Sequence, residues 1–98
     1  MSDDAVKAAP DNYKVVLGND RVRVLEYRDR PGDKTAMHSD PAVVAIIESD
    51  GKFRFGAPNG ESMDIEAKAG ELMYMDAVTH STEYVGTTPG HGTIVVLK

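Results

Sequence analysis

Cysteine is absent from this chain of 98 residues. Without it the protein can form neither a disulfide framework nor a thiolate metal site, so burial and strand hydrogen bonds must hold the fold together. The absence fits a reducing compartment, and we expect a cytoplasmic protein. Residues 1–10 carry Asp3 and Asp4 and lack an apolar run, so we expect no secretory signal peptide.

Positive charge is scarce, with 11 Lys and Arg residues against 16 Asp and Glu residues and a net charge of −5. An acidic domain of this size repels phosphate backbones and anionic lipid surfaces, so we expect neither a nucleic-acid nor a membrane partner. Long apolar runs are also missing. The longest, Ala42–Ile47, is far too short to cross a bilayer.

Helical periodicity is missing as well, because Gly and Pro interrupt the chain too often for a convincing helix. What remains is a series of short apolar or alternating runs between turn residues, which predicts about nine strands and an all-β sandwich or barrel. The predicted strands are Tyr13–Leu17, Arg21–Arg28, Lys34–His38, Ala42–Ser49, Lys52–Gly56, Ser62–Lys68, Leu72–Met75, His80–Val85 and Thr93–Leu97.

The length allows one domain. We expect residues 1–12 to be a flexible N-terminal arm and residues 13–98 to form the barrel. Asp50-Gly51 and Asn59-Gly60 are both typical of tight β-hairpin turns.

Two histidines and an aspartate form a candidate metal site. His38 and Asp40 are separated by one residue, so in a strand their side chains point to the same face. His80 would complete the set if its strand lies opposite. Two imidazoles and a carboxylate suit Fe(II) with open positions, and the same ligands can hold Zn(II), Mn(II) or Ni(II). The alternative is structural, because Asp40 before Pro41 is a common turn opening.

Two stretches resemble the paired motifs of the cupin superfamily. In the first, Gly32 is followed after five residues by His38-Ser39-Asp40, and Gly51 closes the motif. In the second, Gly70 is followed after five residues by Asp76-Ala77-Val78, and then by His80 and Tyr84. The resemblance implies a small double-stranded β-helix, or jelly-roll, barrel with a divalent metal ion, most often Fe(II), and a homodimer.

The metal-binding positions of the cupin motifs are altered in this chain. Asp40 stands where cupins carry the second histidine, Val44 stands where they carry glutamate, and Tyr84 replaces an asparagine. His80 also comes one residue early. A carboxylate at Asp40 still provides a metal ligand, so the site is changed but not emptied.

Strand alternation extends the candidate pocket beyond the metal ligands. Counting on from the first motif places Val44, Ile46 and Glu48 on one wall, while Thr82 and Tyr84 share the face of His80. Met73 and Met75 share a face, where they serve either the core or the substrate wall. These positions predict a small, partly apolar ligand. The pocket candidates are Val44, Ile46, Glu48, Met73, Met75, Thr82 and Tyr84.

Two functions of the pocket remain open from the sequence, beside a mainly structural role as a homodimer whose surfaces matter more than its pocket. One is an Fe(II)-type dioxygenase or related oxidoreductase acting on a small organic acid, diketone or aromatic compound, with His38, Asp40 and His80 as ligands. The other is a cupin binding module that holds a small ligand without turnover and with weak or no metal binding. The loss of glutamate at Val44 favours the second.

Overall fold

A computed structural model describes residues 5–98, which form one short helix and nine antiparallel strands. The all-β class and the number of strands are therefore as predicted. The elements are α1 (Ala5–Ala8), β1 (Tyr13–Gly18), β2 (Val22–Asp29), β3 (His38–Asp40), β4 (Val43–Ile47), β5 (Gly51–Gly56), β6 (Ser62–Ala67), β7 (Leu72–Met75), β8 (Val78–Tyr84) and β9 (Gly90–Leu97).

The strands form two sheets. The larger has five strands in the order β1-β2-β9-β4-β7, and the smaller has four in the order β3-β8-β5-β6. Antiparallel pairing sets Leu25 opposite Ile94 and Val43 opposite Val96 in the larger sheet. Leu25, Val43 and Val96 are buried, as expected for the inner face of an antiparallel sheet with one solvated side.

The two predicted hairpins have different outcomes. Asn59-Gly60 does turn β5 back onto β6, and Gly60 adopts a φ of +90° that favours glycine. The prediction for Asp50-Gly51 is wrong, because β4 pairs with β7 and β9 whereas β5 pairs with β6 and β8. Asp50 instead lies in a connection between the sheets, where its side chain accepts a hydrogen bond from the Ala69 amide at 2.8 Å.

Of the predicted N-terminal arm, residues 1–4 lie outside the described part, and the described residues begin with helix α1. Helix α1 has only four residues, and Ala5 and Ala9 are buried in the main core cluster beside Tyr13. Small side chains let this helical turn approach the barrel closely, a packing that no periodicity in so short a segment reveals. Within residues 5–98, no helix is long and apolar enough to cross a membrane.

A second packed region surrounds Tyr84, which is 1% exposed. Its hydroxyl donates to the Thr88 carbonyl at 2.6 Å, and its ring meets Phe53 edge-on with centroids 5.2 Å apart. A β-carbon added at Gly86 or Gly90 would lie 2.8 Å or 2.7 Å from atoms of this ring system. The glycines therefore make room for the phenol.

Candidate metal centre

Pairing of β3 with β8 brings the two candidate histidines together. In this register His38 lies directly opposite His80, and Asp40 lies opposite Val78. Because side chains directly opposite each other share one face, both imidazoles project to the same side of the sheet. Their ring centroids are 5.0 Å apart, with the planes at 69°.

Asp40 lies between the two rings. Its Oδ2 atom is 3.1 Å from Nε2 of His38 and 3.1 Å from Nε2 of His80. One donor atom from each residue lies within 4.8 Å of the others. Both histidines are buried, and the Asp40 side chain is 16% exposed. The structure thus brings all three predicted ligands to one point.

The orientation of the His38 ring is fixed by a hydrogen bond at Nδ1, the nitrogen that faces away from Asp40. Nδ1 lies 2.9 Å from the Ala36 carbonyl, which can only accept a hydrogen bond, so Nδ1 carries the proton. A ring protonated at both nitrogens donates from Nε2 to Asp40, whereas the neutral ring leaves Nε2 unprotonated and able to coordinate an ion. A second interaction of this kind is typical of metal-ligating histidines, because it selects the tautomer whose free nitrogen can coordinate.

The ionisation of Asp40 reflects two opposing effects. Burial opposes the charged form, but the hydrogen bonds and positive charges that His38 and His80 supply when protonated outweigh it and hold the pKa of Asp40 well below its usual range. Asp40 is therefore an anionic ligand at neutral pH.

These donors fit a divalent transition metal ion. Metal–ligand bonds of about 2.0–2.2 Å place neighbouring ligand atoms about 3 Å apart, which matches the 3.1 Å from Asp40 to each imidazole. A neutral His38 Nε2 would otherwise turn its lone pair toward the Asp40 carboxylate. A cation shared by the three residues removes this repulsion.

A cavity of about 80 Å³ lies inside the barrel, next to the candidate metal centre, and we call it the inner cavity. Asp40, His80 and Thr82 are part of its wall, and most of the remaining wall is aliphatic or aromatic. His38 is behind them and does not line it. Open coordination positions would thus face a largely apolar space.

A second depression, which we call the outer groove, has a volume of about 500 Å³ and opens to the surface. Phe55, Met75 and His80 line both spaces and so separate them. Phe55 also stacks on His80, with centroids 4.9 Å apart and planes at 30°. The groove supplies a route from the surface to the wall that carries His80.

Three further pocket candidates lie where the alternation predicts. Met73, Met75 and Thr82 all line the inner cavity. Tyr84 also points inward, but its ring packs among glycines and Phe53 and is not among the residues that line the cavity.

The structure corrects the prediction of which β4 residues form the pocket wall. Val43, Ala45 and Ile47 line the inner cavity, whereas Val44, Ile46 and Glu48 do not. Ile46 and Glu48 are exposed. The reason is that β3 ends at Asp40 and β4 begins at Val43, so the intervening residues break the alternation on which the prediction depends.

Sequence reasoning missed the aromatic part of the wall, formed by Tyr13, Tyr27, Phe53 and Phe55. The alternation of Phe53 and Phe55 along β5 is a signal that could have identified two of them. Burial, aided by the charge of Asp29, raises the pKa of Tyr13 and Tyr27, to about 12 for Tyr27. Both phenols stay protonated and can donate hydrogen bonds, but neither acts as a base near neutral pH.

Comparison with solved structures identifies the architecture. A cupin domain from Bordetella pertussis Tohama I superimposes with a TM-score of 0.79 at 24% identity, covering 88% of this chain and 91% of that chain. A conserved protein with a double-stranded β-helix domain from Klebsiella pneumoniae gives 0.68 at 24% identity, covering 87% and 74%. A cupin family protein from Methanocaldococcus jannaschii gives 0.69 at 13% identity, covering 99% and 88%.

No family model matches the chain, and no curated protein matches it. The structural similarity nevertheless confirms the predicted fold, a small cupin-type double-stranded β-helix. At these identities the similarity establishes the fold alone.

Proposed function

We propose that this small cupin-type domain binds a divalent transition metal ion, Fe(II) above all, through His38, Asp40 and His80. With it the protein acts as a dioxygenase or related oxidoreductase on a small organic compound. The observation that carries the proposal is the convergence of the three donor groups within 4.8 Å at the wall of an apolar cavity. Two histidines and one carboxylate with open positions are typical of non-haem Fe(II) oxygenases.

The residues of such a site have different roles. When bound, the ion supplies Lewis acidity and, if it is iron, a one-electron redox couple. Asp40 contributes the negative charge, and His38 is held in its coordinating tautomer by the Ala36 carbonyl. The apolar wall excludes water and orients the substrate toward Asp40 and His80. A dioxygenase reaction transfers both atoms of dioxygen to the substrate, so no further reductant is needed.

Metal analysis tests the proposal directly. Protein freed of metal and dialysed against Fe(II) without oxygen should retain one ion per chain, and His80→Ala should abolish retention. His91→Ala is the matched control, because His91 is an exposed histidine on β9 that lies outside the cluster. Retention should be unchanged in that variant. A wild-type chain that holds no ion, or His80→Ala protein that holds as much, would contradict the proposal.

Ligand binding without turnover is the second candidate function. It is favoured by the composition of the inner cavity, where the titratable groups in the described part are Asp40, His80 and two protonated tyrosines. Once Asp40 and His80 coordinate an ion, no general base remains in this wall. Oxygen consumption by the Fe(II)-loaded protein, measured over a panel of diketones and phenols, separates the two functions.

We also propose that the protein forms a homodimer along β1. This strand is an edge of the larger sheet, and its Val15, Val16 and Leu17 side chains are exposed. An exposed apolar edge strand is a template for pairing with a second copy. Sedimentation should show a dimer that Val16→Lys converts to monomer, whereas Leu72→Lys on the opposite edge strand should not. A wild-type monomer at micromolar concentration would contradict it.

A further inference from the structure

The inner cavity and the outer groove share one unusual property, which is the absence of positive side chains. No Lys or Arg occurs among the described residues that line either space. The acidic residues there are Asp40 in the cavity and Glu61 and Asp76 in the groove. A ligand with several negative charges would therefore meet carboxylates and no protein counter-charge.

The charge of the metal centre limits the ligand further. Two neutral imidazoles, one carboxylate and a divalent cation sum to a single positive charge. One anionic oxygen at the ligand's head can be compensated there. A second anionic group in the apolar cavity or the acidic groove would be desolvated or repelled, because no Lys or Arg of residues 5–98 lines either space.

The size of the inner cavity defines the rest of the ligand. Its volume of about 80 Å³ is small. An engineered cavity of about 150 Å³ holds a benzene molecule, so this one encloses a shorter apolar group. Met73 and Met75 in the wall are flexible side chains that adapt to irregular shapes. Anything longer must extend between Phe55 and Met75 into the outer groove.

We infer that the ligand is a single-headed compound: an oxygen-bearing head with at most one negative charge beside Asp40 and His80, and a short, uncharged, apolar tail in the inner cavity. The head position depends on the proposed metal function, whereas the tail position does not. Dicarboxylates and phosphorylated compounds are excluded. Ala45, Ile65 and Met73 in the cavity wall determine the tail that is accepted.

The tail site can be tested on the metal-free chain with butanone as a neutral probe and NMR of labelled methionine methyl groups. Met73 lines only the inner cavity, Met63 only the outer groove, and Met75 both. Saturable shifts of Met73 and Met75 are expected, with exposed Met37 as an internal control. Shifts confined to Met63 and Met75, or no saturable shift, would overturn the inference.

A variant that fills the inner cavity tests the same tail site. Ala45→Leu adds three carbons to the cavity wall and should weaken the butanone response of Met73 at least about tenfold. Ile46→Leu, at the next position on the same strand, changes an exposed side chain and should leave the response unaltered. If Ala45→Leu does not fold, the wild-type titration still decides.

The single-charge requirement is tested on the Zn(II)-loaded chain with butanoate and succinate, which have equal carbon-chain length. Butanoate should bind at least about tenfold more tightly, because the second carboxylate of succinate lies in a space that no Lys or Arg of the described residues lines. Equal affinities would overturn the inference while leaving the proposed function intact. A chain that holds no Zn(II) but binds butanone in the inner cavity would contradict the proposed function and not the tail site.

Discussion

Two parts of the protein each withdraw a carboxylate from solvent, with Asp29 buried and Asp40 half-buried, and the two behave in opposite ways. Asp40, between two imidazoles beside the inner cavity, has its pKa held below the usual range. Asp29 ends β2 in the region of Tyr27 and Tyr84, and burial and the charge of Asp33 raise its pKa to about 6, although Asn12 counteracts this in part. Its Oδ2 atom has no hydrogen-bond partner among the described residues.

Burial alone therefore does not determine the charge of a carboxylate. Both side chains lose water, which disfavours ionisation. For Asp40, hydrogen bonds from the two histidines offset this loss, whereas among residues 5–98 no cation lowers the pKa of Asp29. The two regions also differ in packing density. A cavity adjoins Asp40, whereas glycines pack tightly around the Tyr84 ring near Asp29.

The largest effect is expected when the stabilised charge of Asp40 is removed. Asp40→Asn should abolish Fe(II) retention and lower the free energy of unfolding of the metal-free chain by about 3 kcal/mol near pH 6, because two buried imidazoles lose their anionic partner. The folded-state pKa is depressed, so this stabilisation is present above the unfolded pKa, near 4, and is lost as the pH falls through the folded value. Urea unfolding at pH 6 and pH 3 measures it. If Asp40→Asn lowered the free energy of unfolding equally at both pH values, the charge of Asp40 would not be the cause of the loss.

The tight packing of the second region is tested by Gly90→Ala. The added β-carbon would lie 2.7 Å from the Tyr84 hydroxyl oxygen, so the ring must shift and strain its hydrogen bond to Thr88. We expect a loss of about 2 kcal/mol in the free energy of unfolding, measured by urea denaturation. Gly18→Ala is the control, since its nearest non-neighbouring atom would be 4.0 Å away. Equal stability of the two variants would contradict the packing argument.

The unfavourable charge of Asp29 is tested by Asp29→Asn. With a folded pKa raised to about 6, the folded state keeps its proton where the unfolded state has lost it. Wild-type stability therefore falls as the pH rises from about 4 to about 6. The neutral variant should be more stable than wild type by about 1–2 kcal/mol at pH 7.5 and should show no gain at pH 4. Urea unfolding at both values checks this; a gain independent of pH would assign the effect to something other than ionisation.

The smallest effect is expected beside the inner cavity. Ala45→Leu directs its extra carbons into empty space, so the free energy of unfolding should change by less than about 1 kcal/mol, in contrast to Gly90→Ala. Thermal and urea unfolding of the two variants side by side measure the contrast. A loss as large as that of Gly90→Ala would mean that the cavity cannot take a larger side chain.

Much of the candidate metal centre could be predicted from local patterns. The His38-Ser39-Asp40 alternation and the similarity to cupin motifs identify the residues that the structure brings together. The wall on β4 could not be predicted in the same way, because alternation holds only within a strand and the chain leaves its strand between Asp40 and Val43. The aromatic wall and the packed helix α1 depend on contacts between distant segments, which no single run displays.

The strand periodicity and most of the turns follow from the sequence alone, and with them an all-β chain with three candidate metal ligands. These are local properties, fixed by alternation and by residues such as Gly60 that favour a turn. Only the tertiary structure decided that β3 pairs with β8, so that Asp40 meets an imidazole 40 positions along the chain. The same packing buries Asp29, whose Oδ2 has no hydrogen-bond partner among the described residues, because strand pairing and burial depend on the whole barrel.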